Sequence, residues 1–412
     1  MFPFLALGNR TCSSRAMDFN DSPLEAAFRA DASAFLAENA AAQEGANTGP
    51  DADHEAVVAA SRRWQRLLAD AGWGAIMWPQ QYGGRGLGPI EQVVWNEELA
   101  RVGITETSLM GGIAMAGPTI IAYGNDEQKS RFLEPTLRGE LMWCQLFSEP
   151  SAGSDLAGLR TRAERDGDQW VINGQKVWST FADHADWGFI IARTDPSLPK
   201  RKGLSYFLVD MKTPGIEVRP LRDMSGGAHF NEVFLDDVRV PDSNRLGEQG
   251  QGWPIARTTL LHERMSIGSA SRMFSFDEVL AHLRENIPAP DQLLRDRLAG
   301  LYAWSRSLEL LNARVNTKLG RGQDPTAEAS VMKLAIAEIF EQAADVMMRA
   351  EGRAALTGEG EAQHRFYFAP GLRIGGGTDE VQRNIIAEQV LGLPREEDPW
   401  ADTPFEDLPA GS

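Results

Sequence analysis

Apolar positions along this chain change their period twice. From about residue 20 to 138 they recur at three- and four-residue steps. Val57, Val58, Trp64, Leu67, Leu68 and Ala71 predict an amphipathic helix that Gly72 ends. A glycine-rich loop, Tyr82-Gly83-Gly84-Arg85-Gly86, precedes a second helix predicted over residues 90–102. Near residue 140 the pattern turns strand-like. Trp170-Val171-Ile172 and Lys176-Val177-Trp178 read as two strands joined at Asn173-Gly174, because Asn-Gly supplies the two positive-φ positions of a type I′ hairpin. Residues 187–192, 204–209 and 231–240 add strand-like runs broken by Pro and Gly. Helical periodicity returns at Trp253 and continues to about 393, with breaks near Pro288-Ala289-Pro290 and from Gly320 to Pro325. Helices, then strands, then helices predict an α+β protein with separately packed units.

The 412 residues are enough for two or three domains. No apolar run approaches the ~20 residues that span a bilayer, so no membrane segment is expected. The net charge of −17, with Lys and Arg scattered among acidic residues, argues against nucleic-acid binding. Any anionic ligand must be held by local Arg, Lys or helix N-termini against that field. Cys12 and Cys144 cannot build a disulfide framework, and no Cys/His cluster has metal-ligand spacing, so no metal is expected. The plain reading is a reducing cytoplasm. Arg10, Ser13, Ser14 and Arg15 faintly suggest a transit peptide and a mitochondrial matrix. Met17-Asp18-Phe19 reads as a natural start, which leaves residues 1–16 as a tail or an over-extended start.

Three stretches carry candidate chemistry. In Leu146-Phe147-Ser148-Glu149-Pro150-Ser151-Ala152-Gly153-Ser154-Asp155 a strand leads into a loop whose backbone N–H groups and hydroxyls are free for a ligand; a self-bonded turn is the plain alternative. In Lys176-Val177-Trp178-Ser179-Thr180 an indole and a hydroxyl share one strand face and can flank a planar ring; the alternative is a packing tryptophan. In Gly375-Gly376-Gly377-Thr378-Asp379-Glu380 three glycines permit close backbone approach, Thr378 is the expected N-cap of a helix, and two acids suit its first turn.

Together, in this order and over nearly the whole chain, the three stretches resemble the acyl-CoA dehydrogenase family. The resemblance implies an N-terminal helical domain over 17–138, a middle β-barrel domain over 139–250, a C-terminal four-helix bundle over 251–395, and tails at 1–16 and 396–412. It implies FAD between the middle domain and the bundle. Ser148 and Thr180 would bond the isoalloxazine edge, Trp178 would pack on the ring, and Thr378 would lie near the flavin. Phe147 counts among the cofactor contacts, and Gly153 and Ser154 lie where the loop meets flavin and substrate.

The implied reaction removes an α-proton from an acyl-CoA while a hydride leaves the β-carbon. It therefore needs a carboxylate base and a polarised thioester carbonyl. Many family members place the catalytic glutamate directly before the Gly-Thr of the third stretch; here that position is Gly376, left to face substrate without a carboxylate. A variation within the family puts the base on the first long helix of the bundle. There this sequence has Leu260-Leu261-His262-Glu263-Arg264, on a helix predicted from about 253 to 273. Glu263 is the expected base, since a glutamate on an otherwise apolar face is desolvated, which raises a carboxyl's pKa. Arg264 is expected to meet CoA. The alternative is a surface Glu–Arg pair.

Two family features that act in trans are missing. The Arg and Phe-Gly that reach a neighbour's FAD pyrophosphate have no counterpart between Met273 and Leu301. The Gln- and glycine-rich segment before the third stretch is replaced by Leu356-Thr357-Gly358-Glu359-Gly360-Glu361-Ala362-Gln363-His364. The pattern resembles the base-bearing subunit of heteromeric dehydrogenases acting on bulky acyl-CoAs such as steroid side chains. A homotetramer and a heterotetramer with a homologous subunit both stay open, and an electron-transfer flavoprotein is the implied electron acceptor. An oxidase, a desulfinase-type enzyme on the same scaffold and a non-catalytic partner subunit are the rival readings. Retention of Ser148, Trp178, Thr180 and Glu263 speaks against the last.

Overall fold

The computed structural model describes residues 21–43, 53–104, 108–267, 275–286, 291–323, 325–358 and 360–409. The expected tail at 1–16, Cys12 and the Pro288-Ala289-Pro290 break lie outside them. The N-terminal helices are α1 (Pro23–Asn39), α2 (His54–Asp70), α3 (Pro89–Arg101), α4 (Gly117–Tyr123) and α5 (Asp126–Leu137). Their ends follow local chemistry. Asp53 accepts the amides of Glu55 and Ala56 to cap α2, and Gly72, at φ 75°, stands just past its end as the periodicity predicts. A six-residue π-helical segment, Gly111–Ala116, feeds directly into α4. Trp64, Leu68, Trp73, Trp95 and Leu99 form this unit's own core with Leu36 of α1.

Among the described residues eight strands follow: β1 (Trp143–Leu146), β2 (Arg162–Asp166), β3 (Gln169–Thr180), β4 (Trp187–Arg193), β5 (Leu204–Asp210), β6 (Ile216–Leu221), β7 (Phe230–Pro241) and β8 (Arg245–Leu246). They form one sheet in the order β6-β7-β3-β2-β4-β5-β8, with β1 added parallel to β4. Strand β4 is buried along its whole length because alternate residues serve two cores. Phe189 and Ile191 face the N-terminal helices with Trp78, Phe132 and Trp143. Ile190 and Ala192 face Trp170, Ile172, Val233 and Val238 of β3 and β7, so the sheet curls over its own core.

The expected turn at Asn173-Gly174 is corrected by the structure. β3 runs through both residues, with only a register shift between Ile172 and Gly174. The hairpin turn is instead Gly167-Asp168, between β2 and β3, where Gly167 has φ 66°. Pairing with β7 along β3 outweighs the local turn preference. Asn173 uses its side chain across the strands, donating to Asp237 Oδ1 at 3.1 Å and accepting the Asp237 amide at 2.9 Å.

The C-terminal helices are α6 (Gly252–Ile267), α7 (Phe276–Asn286), α8 (Gln292–Gly320), α9 (Thr326–Glu351), α10 (Glu361–Ile374) and α11 (Asp379–Ile385). Val279, Leu283, Leu301, Leu308, Met332, Ile336 and Ile339 build the core that joins α7, α8 and α9. Helix α6 packs instead on β4, β5, α4 and the π-helical segment. Threonine hydroxyls fix it there. Thr259 Oγ1 lies 3.0 Å from Thr119 Oγ1 of α4 and 3.1 Å from the Tyr206 hydroxyl of β5, and all three residues are fully buried.

Helix α4 approaches this junction through Gly117. A Cβ there would fall 1.8 Å from a ring carbon of Trp78, whose indole N–H donates to Ile113 O at 3.0 Å. Gly117→Ala is expected to cost about 1–3 kcal/mol through overpacking. Urea denaturation checks this as a lowered midpoint with an unchanged slope.

Candidate active site

The loop after β1 is organised by a buried ion pair. Lys176, fully buried in β3, aims its ammonium at three acceptors: Glu149 Oε1 at 2.8 Å, Phe147 O at 3.0 Å and Ile191 O at 3.0 Å. All three N–H donors are thereby used. Glu149 also accepts the amides of Arg160 (2.6 Å) and Thr161 (2.9 Å). Burial alone would push the Glu149 carboxyl up, but the Lys176 charge and hydrogen bond, with those amides, hold it below the ordinary carboxylate range. Burial pulls the Lys176 ammonium down from the ordinary lysine value, against the opposing pull of Glu149.

This pair shapes the first stretch. Glu149 and Ala152 exchange two backbone bonds of 3.0 Å, which folds the loop tightly and leaves Gly153 and Ser154 exposed. Lys200 tethers Asp155 at 2.8 Å. Ser148 is half-buried, and its carbonyl accepts the Val177 amide at 2.9 Å, so it stands beside Trp178. The Phe147 residue is 3% exposed; its ring meets Phe189 and Tyr206 edge-on in the core and its carbonyl accepts from Lys176.

Trp178 and Thr180 both face outward, with Ser179 buried between them. The strand is irregular here. Its register with β7 shifts between Lys176 and Ser179, and Trp178 sits at φ 62°. Few non-glycine residues adopt that conformation. The indole is 54% exposed and touches Phe230 edge-on at 5.5 Å. The His229 ring lies tilted at 4.1 Å from Phe230 and 6.4 Å from Phe368 of α10, so an aromatic row leads from Trp178 to the bundle. An exposed indole held in this backbone conformation fits a planar ring as its partner.

Glu263 lies on α6 one turn after Thr259, on the same helix face. Its half-buried carboxylate accepts a 3.3 Å hydrogen bond from Gln145 Nε2 of β1. Leu260 packs into the adjoining core with Ile113 and Met115 of the π-helical segment. Burial holds the neighbouring His262 below the ordinary imidazole value. The side chain of Arg264 lies outside the described residues. The structure thus brings Ser148, Trp178 and Thr180 together, and Glu263 with β1, whereas Thr378 and Gly376 belong to the bundle. Thr378 caps α11, accepting the Val381 amide at 3.2 Å. Gly376 has φ 66°, and its carbonyl accepts from Gln382 at 3.1 Å. Asp379 does more than sit in a first turn: it is buried between Arg373 (2.7 Å) and Lys333 (3.1 Å).

Sequence reading passed over Gln145, Thr259 and the Glu149–Lys176 partnership. A single polar residue between Cys144 and Leu146 was a faint signal for the first, and the other two have none without the tertiary contacts. A shallow hollow lined by Phe35, Asn39, Arg63 and Leu67 on the N-terminal helices holds none of the motif residues. Among the described residues no helix is long and apolar enough to cross a membrane.

Comparisons with known proteins converge on one family. Residues 22–140, 144–238 and 250–391 match the family descriptions "Acyl-CoA dehydrogenase, N-terminal domain", "middle domain" and "C-terminal domain". Acyl-CoA dehydrogenase IpdE1 of Mycobacterium tuberculosis is 39% identical over 381 residues, covering 90% of this chain and 98% of that protein. Acyl-CoA dehydrogenase FadE34 of the same organism is 44% identical over 331 residues, which are 80% of this chain but only 46% of FadE34, so this chain spans about half of that relative. Among solved structures, the Tcur3481-Tcur3483 steroid ACAD has a TM-score of 0.79 at 30% identity, covering 92% of this chain and 100% of that one. The ChsE4-ChsE5 complex from Mycobacterium tuberculosis has a TM-score of 0.75 at 32% identity, with the same coverage.

The ion pair makes two measurable demands. Lys176→Met, which leaves Glu149 buried without its partner charge, is expected to cost about 3–5 kcal/mol in chemical denaturation. Because the folded-state pKa of Glu149 is depressed, its stabilisation is present above the ordinary value of 4.5 and is lost as pH falls through the folded-state value. The melting temperature of the native protein is therefore expected to fall more steeply below about pH 4.5 than that of Glu149→Gln.

Proposed function

Because the chain belongs to the acyl-CoA dehydrogenase family of FAD-dependent oxidoreductases, we propose that it converts an acyl-CoA thioester to its trans-2-enoyl-CoA with Glu263 as the α-proton base. The observation that carries this reading is the position of Glu263. It is half-buried on a helix anchored through Thr259 and bonded by Gln145, and the position where the alternative base would stand is occupied by Gly376 in the sequence. Bound FAD supplies the acceptor for the β-hydride.

This chain's residues do the remaining work. Glu263 takes the proton from the α-carbon, and Gln145 orients the carboxylate that receives it. Ser148, Trp178 and Thr180 hold the isoalloxazine, with Gly153, Ser154, Thr378 and the Phe147 backbone around it. Ser154, Gly376 and Arg264 meet the substrate. The division at 138/139 and 250/251 belongs to the same proposal.

For the substrate and the assembly, the reading is a bulky acyl-CoA and a heterotetramer with a homologous subunit. The solved structure named a steroid ACAD and the ChsE4-ChsE5 complex, both two-component by name, support it. So does the absence from this sequence of the residues that reach a neighbour's FAD pyrophosphate. The bundle also exposes large apolar side chains, Tyr302, Trp304, Phe366, Tyr367 and Ile374 among them, which suits further chains. Electrons then leave to an electron-transfer flavoprotein.

Two outcomes test the proposal. Glu263→Gln is expected to keep its flavin absorbance and lose about 10²–10⁴-fold in anaerobic enoyl-CoA formation. Retention of most of the activity would place the base elsewhere. Purified alone, the chain is expected to be poor in flavin and to gain it on co-expression with a homologous subunit, read by visible spectrum and light scattering. About one flavin per chain in a homotetramer overturns the heteromer.

A further inference from the structure

His54, Asp183 and His184 meet where the start of α2 crosses the segment between β3 and β4. We infer that these three side chains form a site for a zinc-type divalent cation that ties the N-terminal helices to the middle sheet. One donor atom from each residue lies within 4.8 Å of the other two, and among the described residues no other group of His, Cys and carboxylates meets that condition. His184 Nε2 and Asp183 Oδ2 are 3.6 Å apart. Two ligands of a tetrahedral zinc, with bonds of about 2.0–2.1 Å, stand about 3.3 Å apart, so this edge is nearly at coordination distance. The half-buried His54 offers the third donor within 4.8 Å of the other two, and a tetrahedral ion held by these three would keep its fourth position for water.

The surroundings hold the donors in place. The second oxygen of Asp183 accepts from Asn231 Nδ2 at 3.2 Å. That amide is fully buried and also donates to Ser179 O, so Asp183 is oriented with Oδ2 toward His184. The His54 ring packs edge-on against Phe181 at 5.3 Å and lies 6.3 Å from the His184 ring. Phe181 is pinned in turn: its amide donates to His229 O at 2.8 Å, and its carbonyl accepts the His184 amide at 3.1 Å. Asp53 and Glu55 flank His54 in sequence, and the chain carries a net charge of −17, which favours a cation over the opposing helix dipole. The donors come from residues 54 and 183–184, so no sequence spacing announces them.

The test uses tag-free, flavin-loaded protein stripped with EDTA and dialysed. Calorimetric titration with Zn²⁺ is expected to show one equivalent bound and a raised melting temperature. His184→Ala and His54→Ala are each expected to weaken that binding by more than about tenfold while leaving the flavin spectrum and enoyl-CoA formation unchanged. No stoichiometric Zn²⁺ uptake by the native protein, or equal uptake by the variants, overturns the site. If His184→Ala fails to fold, His54→Ala, on a half-exposed first turn, decides the question alone.

Discussion

The contact on which the middle of this molecule depends is the buried pair between Lys176 and Glu149. A charge without water is tolerable only when every hydrogen-bonding position is filled, and here the ammonium spends its three donors on Glu149, Phe147 O and Ile191 O. Those partners come from the loop after β1 and from β4, so one side chain of β3 registers three segments at once. The amides of Arg160 and Thr161 complete the carboxylate and bring the end of the loop back to its start. Ser148 and Trp178 are each one or two residues from this knot and stand beside one another through the Ser148 carbonyl and the Val177 amide.

A second set of bonds does for α6 what the ion pair does for the loop. Thr259 shares its hydroxyl with Thr119 and Tyr206, which joins α6, α4 and β5 in a region otherwise packed with apolar side chains. One helical turn later Glu263 reaches β1, where Gln145 receives it. Glu263 is thus placed by the N-terminal helices and the sheet, while an aromatic row from Trp178 through Phe230 and His229 reaches Phe368 of the bundle.

Much of this was legible in the residues. The helix ends at Gly72 and Thr378, the strands at 187–192, 204–209 and 231–240, and the break between α8 and α9 all follow from period and capping chemistry, which act over a few positions. Trp178 and Thr180 do face outward around buried Ser179, but the irregularity between Lys176 and Ser179 is what turns Trp178 out, since Lys176, two positions earlier, is fully buried. The motif order was specific enough to identify the family.

What the sequence by itself determined is the succession of helices, sheet and helices, together with the residue types in the three motif stretches and on the helix that carries Glu263. Tertiary structure alone decided which of them meet. Asn173-Gly174 has the chemistry of a turn, yet it continues a strand because β7 pairs alongside it. Gln145 and Glu263 are 118 residues apart, and His54 lies far in sequence from Asp183 and His184. Local preferences are small energies set by neighbouring residues, whereas these meetings are imposed by the burial of whole elements against one another.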